Sequence, residues 1–136
     1  MPNFNQNLKK AIAVIWASPY SLLGLLIGTL GMLSGGQGRL KDGAVEFYGG
    51  GTRWFVRRLP PGVNTAGFTL GHVILGQTGE GLDCVAQHER VHVRQFERWG
   101  PLMGPAYLLA SGWMWCIGRD YYRDNPFEVE AYREAP

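Results

Sequence analysis

The stretch Asp83-Cys84-Val85-Ala86-Gln87-His88-Glu89-Arg90-Val91-His92-Val93-Arg94-Gln95-Phe96-Glu97-Arg98-Trp99 organises the reading of this chain. Val85, His88, His92, Phe96 and Trp99 recur at the 3.6-residue period, so the segment is expected to be one amphipathic helix with both histidines on its inward face. Asp83 is the expected N-cap, and Gly100-Pro101 stops the helix after Trp99. Arg90, Arg94 and Arg98 fall on the far side, where three cations read as a solvated face.

Two imidazoles four residues apart on a helix can ligate one Zn²⁺, and Glu89 between them then faces water at the metal. His88 and His92 are two of the three histidines in the chain. A catalytic zinc takes three protein ligands and keeps one position open, so a third ligand is expected. His72 lies in an extended run well upstream. Asn125-Pro126-Phe127-Glu128-Val129-Glu130-Ala131 instead starts a second helix after Pro126 and offers Glu128 or Glu130.

With these residues the chain resembles the gluzincin class of metallopeptidases over residues 68 to about 134. The resemblance rests on His88, Glu89 and His92, and on Glu128 followed three residues later by the small Ala131. It implies that Glu128, not Glu130, completes the zinc site. Members of the class often carry Asp after the small residue, where this chain has Tyr132, so support for a ligating imidazole is expected from Asp124 or a backbone carbonyl. The resemblance further implies a zinc-dependent peptidase with Glu89 as the base that moves a proton from the attacking water to the leaving amine. The oxyanion needs a donor, for which His72, Tyr107, Tyr121 and Tyr122 are available. Two other readings of the same residues are a membrane-associated zinc-binding scaffold without turnover and a zinc hydrolase of a non-peptide amide or ester.

Phe68-Thr69-Leu70-Gly71-His72-Val73-Ile74-Leu75, bounded by Gly67 and Gly76, reads as a strand. The resemblance puts such a strand at a sheet edge beside the cleft. There it would hold an extended peptide by strand addition, with Gly71 admitting the second backbone; an ordinary core strand is the alternative. Val45-Glu46-Phe47-Tyr48 and Arg53-Trp54-Phe55-Val56 flank Gly49-Gly50-Gly51 and read as a β-hairpin. Pro60-Pro61-Gly62 marks a turn, and Gly76 to Gly81 reads as the loop into the metal helix.

The 136 residues suit one domain and show no repeat. Net charge is only +2, with cations prevailing before His72 and acids after it; nucleic-acid binding, which needs a concentrated basic surface, is excluded. Lys9, Lys10, Arg39, Lys41, Arg53, Arg57 and Arg58 suit an anionic membrane surface. Cys84 and Cys116 are too few for a disulfide framework and are expected to be reduced and buried.

No charge intervenes between Lys10 and Arg39, and residues 11–33 are expected to associate with a membrane by spanning it or lying in it. A core helix, or a helical hairpin broken at Pro19, is the alternative. The length of the stretch, Pro19 and the lack of a small-residue cleavage site argue against a signal peptide. A second charge-free stretch, from Trp99 to Gly118, cannot cross once, because ligands on both sides of it must meet one zinc at about 2 Å. It is expected to be a buried or interfacial helix.

The expected architecture is therefore α+β. Residues 1–38 form an apolar N-terminal helical, membrane-associating segment, and residues 39–136 a minimal zincin-like domain with a small β-sheet, a metal-binding active-site helix and a C-terminal ligand helix. Zn²⁺ is the expected cofactor and a peptide or protein the expected substrate, with no nucleic-acid partner, at a membrane or otherwise in the cytoplasm.

Overall fold

Asn3 opens the longest element with a reciprocal cap: its side chain accepts from Gln6 N–H while the Gln6 side chain accepts from Asn3 N–H. The structure, a computed structural model, describes residues 3–60 and 62–135, and in it helix α1 (Phe4–Leu33) follows this cap for 30 residues. Pro19 does not break the helix. It cannot donate to the Ile15 carbonyl, but the neighbouring Ser18 hydroxyl does so at 2.7 Å, which keeps that acceptor satisfied.

Strands β1 (Gln37–Lys41) and β2 (Ala44–Tyr48) then form the first hairpin. Its turn is Asp42-Gly43, with φ of 49° and 81°, the left-handed pair that a two-residue hairpin requires. The expected hairpin across Gly49-Gly50-Gly51 is not formed, because residues after it belong to helix α2 (Gly50–Val56). Close packing explains the glycines: a Cβ on Gly51 would sit 3.1 Å from the Gly31 Cα of α1.

The expected single strand from Phe68 to Leu75 is two strands, β3 (Gly67–Leu70) and β4 (Val73–Gly76), folded on each other at Gly71-His72. Gly71 has φ of 63°, and a Cβ there would lie 2.7 Å from the Ser21 nitrogen. The backbone that Gly71 admits is thus that of α1, not a substrate. Strand order is β1-β2-β4-β3, with β2 and β4 parallel and the other neighbours antiparallel. Pro61, the middle of the expected Pro60-Pro61-Gly62 turn, lies outside the described residues.

Alternation along the strands sorts the two faces. Phe47, Leu70 and Val73 face α1, whose Gly24, Gly28 and Gly31 are buried and let its backbone lie close. Ala44 and Ile74 face helix α3 (Gly79–Trp99) through Leu82 and Val93. Helix α3 starts a turn earlier than expected, because Thr78 and not Asp83 is its cap: the Thr78 hydroxyl accepts from Gly81 N–H at 2.9 Å. Residues 79–81 of the expected loop are therefore helical. Asp83 instead pairs with Arg39 and Lys41, each at 2.7 Å.

The arginines of α3 do not form one solvated face. Arg90 turns inward, donating to the carbonyls of Lys41 and Asp42 and lying 3.4 Å from the buried Glu46 carboxylate. Arg94 and Arg98 reach Glu134 and Glu130. Both cysteines are exposed, contrary to the expectation. Near its start α3 meets the sheet through Leu82, so Cys84 points away.

A single 3₁₀ turn (Gly100–Leu102) leads into helix α4 (Met103–Cys116). The Tyr20 hydroxyl clamps this start to α1, donating to the Pro101 carbonyl at 2.9 Å and accepting from Gly104 N–H at 3.0 Å. The chain then returns, and Asn125 caps helix α5 (Pro126–Glu134) at Phe127 N–H while donating to Tyr107 and Ser111 of α4. Helix α5 packs on α3. The fold is thus α+β, a mixed four-stranded sheet with helices on both faces and one long apolar N-terminal helix.

Candidate metal centre

Helical spacing stacks His88 and His92 on one face of α3, and the packing of α5 brings Glu128 opposite them. His92 Nε2 is 3.2 Å from His88 Nε2; Glu128 Oε2 is 3.1 Å from His88 Nε2 and 3.3 Å from His92 Nε2. One face of a tetrahedron with ligands at about 2.0–2.1 Å has edges of about 3.3 Å, so this triangle fits a zinc-sized ion. Glu130 points elsewhere, to Arg98.

Hydrogen-bond chemistry supports the same fit. Gln95, fully buried, donates its amide to the Phe127 carbonyl, which turns its Oε1 toward His92 Nδ1 at 2.8 Å. Nδ1 must therefore carry the proton, and in neutral His92 the Nε2 lone pair then faces a carboxylate oxygen. Two acceptors so placed take a cation between them, a metal ion or, in its absence, a second proton on His92. This amide does what Asp124 or a carbonyl was expected to do; the Asp124 carboxylate is occupied instead by Asp120 N–H. Tyr132, at the position where Asp was absent, lays its ring 4.5 Å from that of His88. His88 Nδ1 is buried and has no partner among the described residues.

Without a metal, burial disfavours a charge on His92, but the Glu128 hydrogen bond and the charges of Glu89 and Glu128 outweigh it and hold the pKa at about 9. For Glu128 burial likewise opposes ionisation, yet bonds from His88 and His92 bring the pKa down to about 2. Tyr107 donates to Glu128 Oε1 at 2.8 Å. Burial, and then the Glu128 charge, push its hydroxyl far above the ordinary tyrosine range; burial and the Tyr132 hydroxyl do the same for Tyr122. Both remain donors.

Beside the triangle lies an apolar cavity of about 400 Å³ between β3, α3 and α4, with Glu89, His92 and Glu128 in its wall. Glu89 is buried, and its Oε2 accepts from the Thr69 hydroxyl at 2.6 Å. Gly67 leaves room for it: a Cβ there would stand 3.1 Å from the Glu89 carboxyl carbon. Strand β3, which carries Thr69 and Gly67, ends the sheet, so its outer edge has no neighbouring strand among the described residues and faces the cavity.

Of the four expected oxyanion donors, Tyr107, Tyr121 and Tyr122 line this cavity. His72 does not; it pairs with Glu97 at 2.8 Å and gives its N–H to Ser21. Gln95, Thr69 and Gly67 were not singled out from the sequence. Only Gln95 carried a signal, lying three residues after His92 and so on a neighbouring helix position. Compared with known protein families, curated proteins and solved structures, the chain matches none.

Proposed function

We propose that this protein is a zinc-dependent peptidase of the gluzincin kind, held at a membrane through α1. The observation that carries the reading is the placing of Glu89 and the free edge of β3 around one cavity that also reaches His92 and Glu128. His88, His92 and Glu128 would hold the ion. When bound, zinc supplies positive charge that polarises a carbonyl and acidifies water.

The chain's own groups then divide the work. An extended peptide adds to the edge of β3, which aligns its backbone. Glu89 takes the proton of the water whose oxygen bonds to the scissile carbonyl carbon, and delivers a proton to the nitrogen as the C–N bond breaks. Thr69 donates to Oε2 and so keeps that carboxylate in one orientation. Tyr122, kept protonated, offers a hydroxyl donor for the developing oxyanion, while Tyr107 gives its proton to Glu128 Oε1 in a hydrogen bond and so orients that carboxylate. The free strand edge favours a peptide over a compact amide or ester.

Helix α1 is the membrane element of this reading, being long and apolar enough to cross a bilayer. The test is to measure zinc per chain and to digest a broad peptide library with the zinc-loaded protein. About one zinc with no cleaved peptide removes the peptidase and leaves the binding scaffold.

A further inference from the structure

Helix α4 carries no charge, and its apolar side chains lie on all sides: Met103 is buried, while Leu109, Trp113 and Trp115 are 74%, 63% and 71% exposed. A helix in contact with water has a polar outer face, and one that is apolar all round is enclosed by protein or by lipid. Here protein covers little of it. All the tryptophans of the chain, at 16, 54, 99, 113 and 115, are exposed, and tryptophan is the side chain that concentrates at membrane interfaces.

The outer face of α1 continues this surface. Tyr20 ties α1 to the start of α4, and Leu22, Leu26 and Leu30 stand exposed opposite the buried glycines. From Ala17 to Gly31 the other side of α1 is pressed on the sheet and its neighbours, over about 21 Å at 1.5 Å per residue. A hydrocarbon layer of about 30 Å crossed by α1 would therefore take the sheet, with the part-exposed Arg39 paired to the buried Glu46, into lipid. Helix α1 thus lies along the interface. Lys9 and Lys10 precede its apolar run and Arg119 follows α4, cations that suit anionic headgroups.

The cavity opens onto this surface. Leu108 belongs both to its wall and to the exposed side of α4, and Leu59, Pro60 and Tyr121 complete an apolar rim. We infer that α1 and α4 together form a lipid-embedded face without spanning the bilayer, and that the cavity takes peptide segments anchored at the membrane. The substrate class rests on the peptidase reading; the lipid face does not.

The experiment uses the zinc-loaded full chain with phosphatidylcholine vesicles containing phosphatidylglycerol. Its probe is one peptide cleaved in the library, made with and without an N-terminal palmitoyl chain. Flotation with vesicles and a blue shift of tryptophan emission are expected. The Leu109→Glu, Trp113→Glu double variant, outside the cavity wall, should lose vesicle binding by about tenfold or more. The palmitoylated peptide on vesicles should be cleaved at least about tenfold faster than the soluble one, a preference the variant loses while soluble-peptide turnover stays unchanged.

Failure to float, or a soluble dimer that buries α4 against a second copy, overturns the lipid face. Flotation with equal cleavage of the two peptides overturns the substrate class. Flotation with no peptide cleaved at full zinc loading leaves the lipid face standing and removes the peptidase reading beneath the substrate class. Protection of one flank of α1 inside sealed vesicles while its other flank is cleaved from outside, which reports a crossing, overturns the interfacial placement.

Discussion

The Gln95 side chain holds His92 in place: its oxygen accepts from His92 Nδ1 at 2.8 Å while its nitrogen donates to the Phe127 carbonyl. One buried amide therefore sets the tautomer of a histidine on α3 and the position of the helix that brings Glu128. Replacing it by Leu removes both bonds. Gln95→Leu is expected to weaken zinc binding by about 10- to 100-fold, read by competition with a chromophoric chelator, while far-UV circular dichroism stays close to the parent.

Variants of Glu89 and Thr69 test the proposed peptidase, the first for proton transfer and the second for the orientation of the Glu89 carboxylate. Glu89→Gln should keep zinc at parental affinity and lower kcat by about 10²-fold or more, the usual worth of a positioned base. Thr69→Val leaves the carboxylate but frees its orientation, so a smaller loss in kcat with little change in KM is expected. Undiminished turnover in Glu89→Gln takes that residue out of the mechanism.

The two glutamates of α5 give opposite outcomes. Glu128 completes the triangle, whereas Glu130 bonds Arg98 at the surface. Glu128→Ala should lose zinc on dialysis and Glu130→Ala should retain it. Metal analysis of the two purified variants decides the assignment.

The metal-free protein should show a defined pH window. His92 has its pKa raised from 6.5 to about 9, so its contribution to stability is whole below about 6.5 and is lost as pH rises through about 9. Glu128 has its pKa lowered from 4.5 to about 2, so its contribution is whole above about 4.5 and is lost as pH falls through about 2. Thermal unfolding of the zinc-free chain is expected to peak between these limits. Added zinc should shift the optimum upward, because His92 must shed its proton to become a ligand.

Docking of α1 depends on Gly28, whose Cβ position is filled by the Phe47 ring. Gly28→Leu overpacks this contact and should cost about 1–3 kcal/mol or more, a fall of several degrees in Tm. Gly112→Ala, on a side of α4 where a Cβ meets nothing within 4 Å, should leave Tm unchanged or raise it slightly.

The bounds of α3 illustrate how far local signals reach. Gly100-Pro101 ends the helix as read, because Gly100 takes the positive φ of 53° at the C-cap and Pro101 has no N–H to continue the last turn. Its start lies at Thr78 and not at the expected Asp83, since both are competent caps and the ion pairs with Arg39 and Lys41 engage Asp83 elsewhere. The first hairpin was legible at Asp42-Gly43, the strongest turn dipeptide in that region, but the glycine triplet behind it drew the turn instead. Glycine serves sharp turns and close packing alike, and the second use cannot be seen without the partner helix.

What the sequence by itself determined are the relations carried within one element: two imidazoles on one face of a helix, a proline that starts α5, a long apolar N-terminal helix, and the α+β alternation. Each follows from backbone periodicity and neighbouring residues. Only the tertiary structure decided that Gln95 supports His92, that Thr69 and Gly67 receive Glu89, that His72 turns away to Glu97, and that α4 stays uncovered. These are contacts between residues distant in the chain, fixed by how the helices lie on the sheet, and helical or strand periodicity says which way a side chain points but not what it meets.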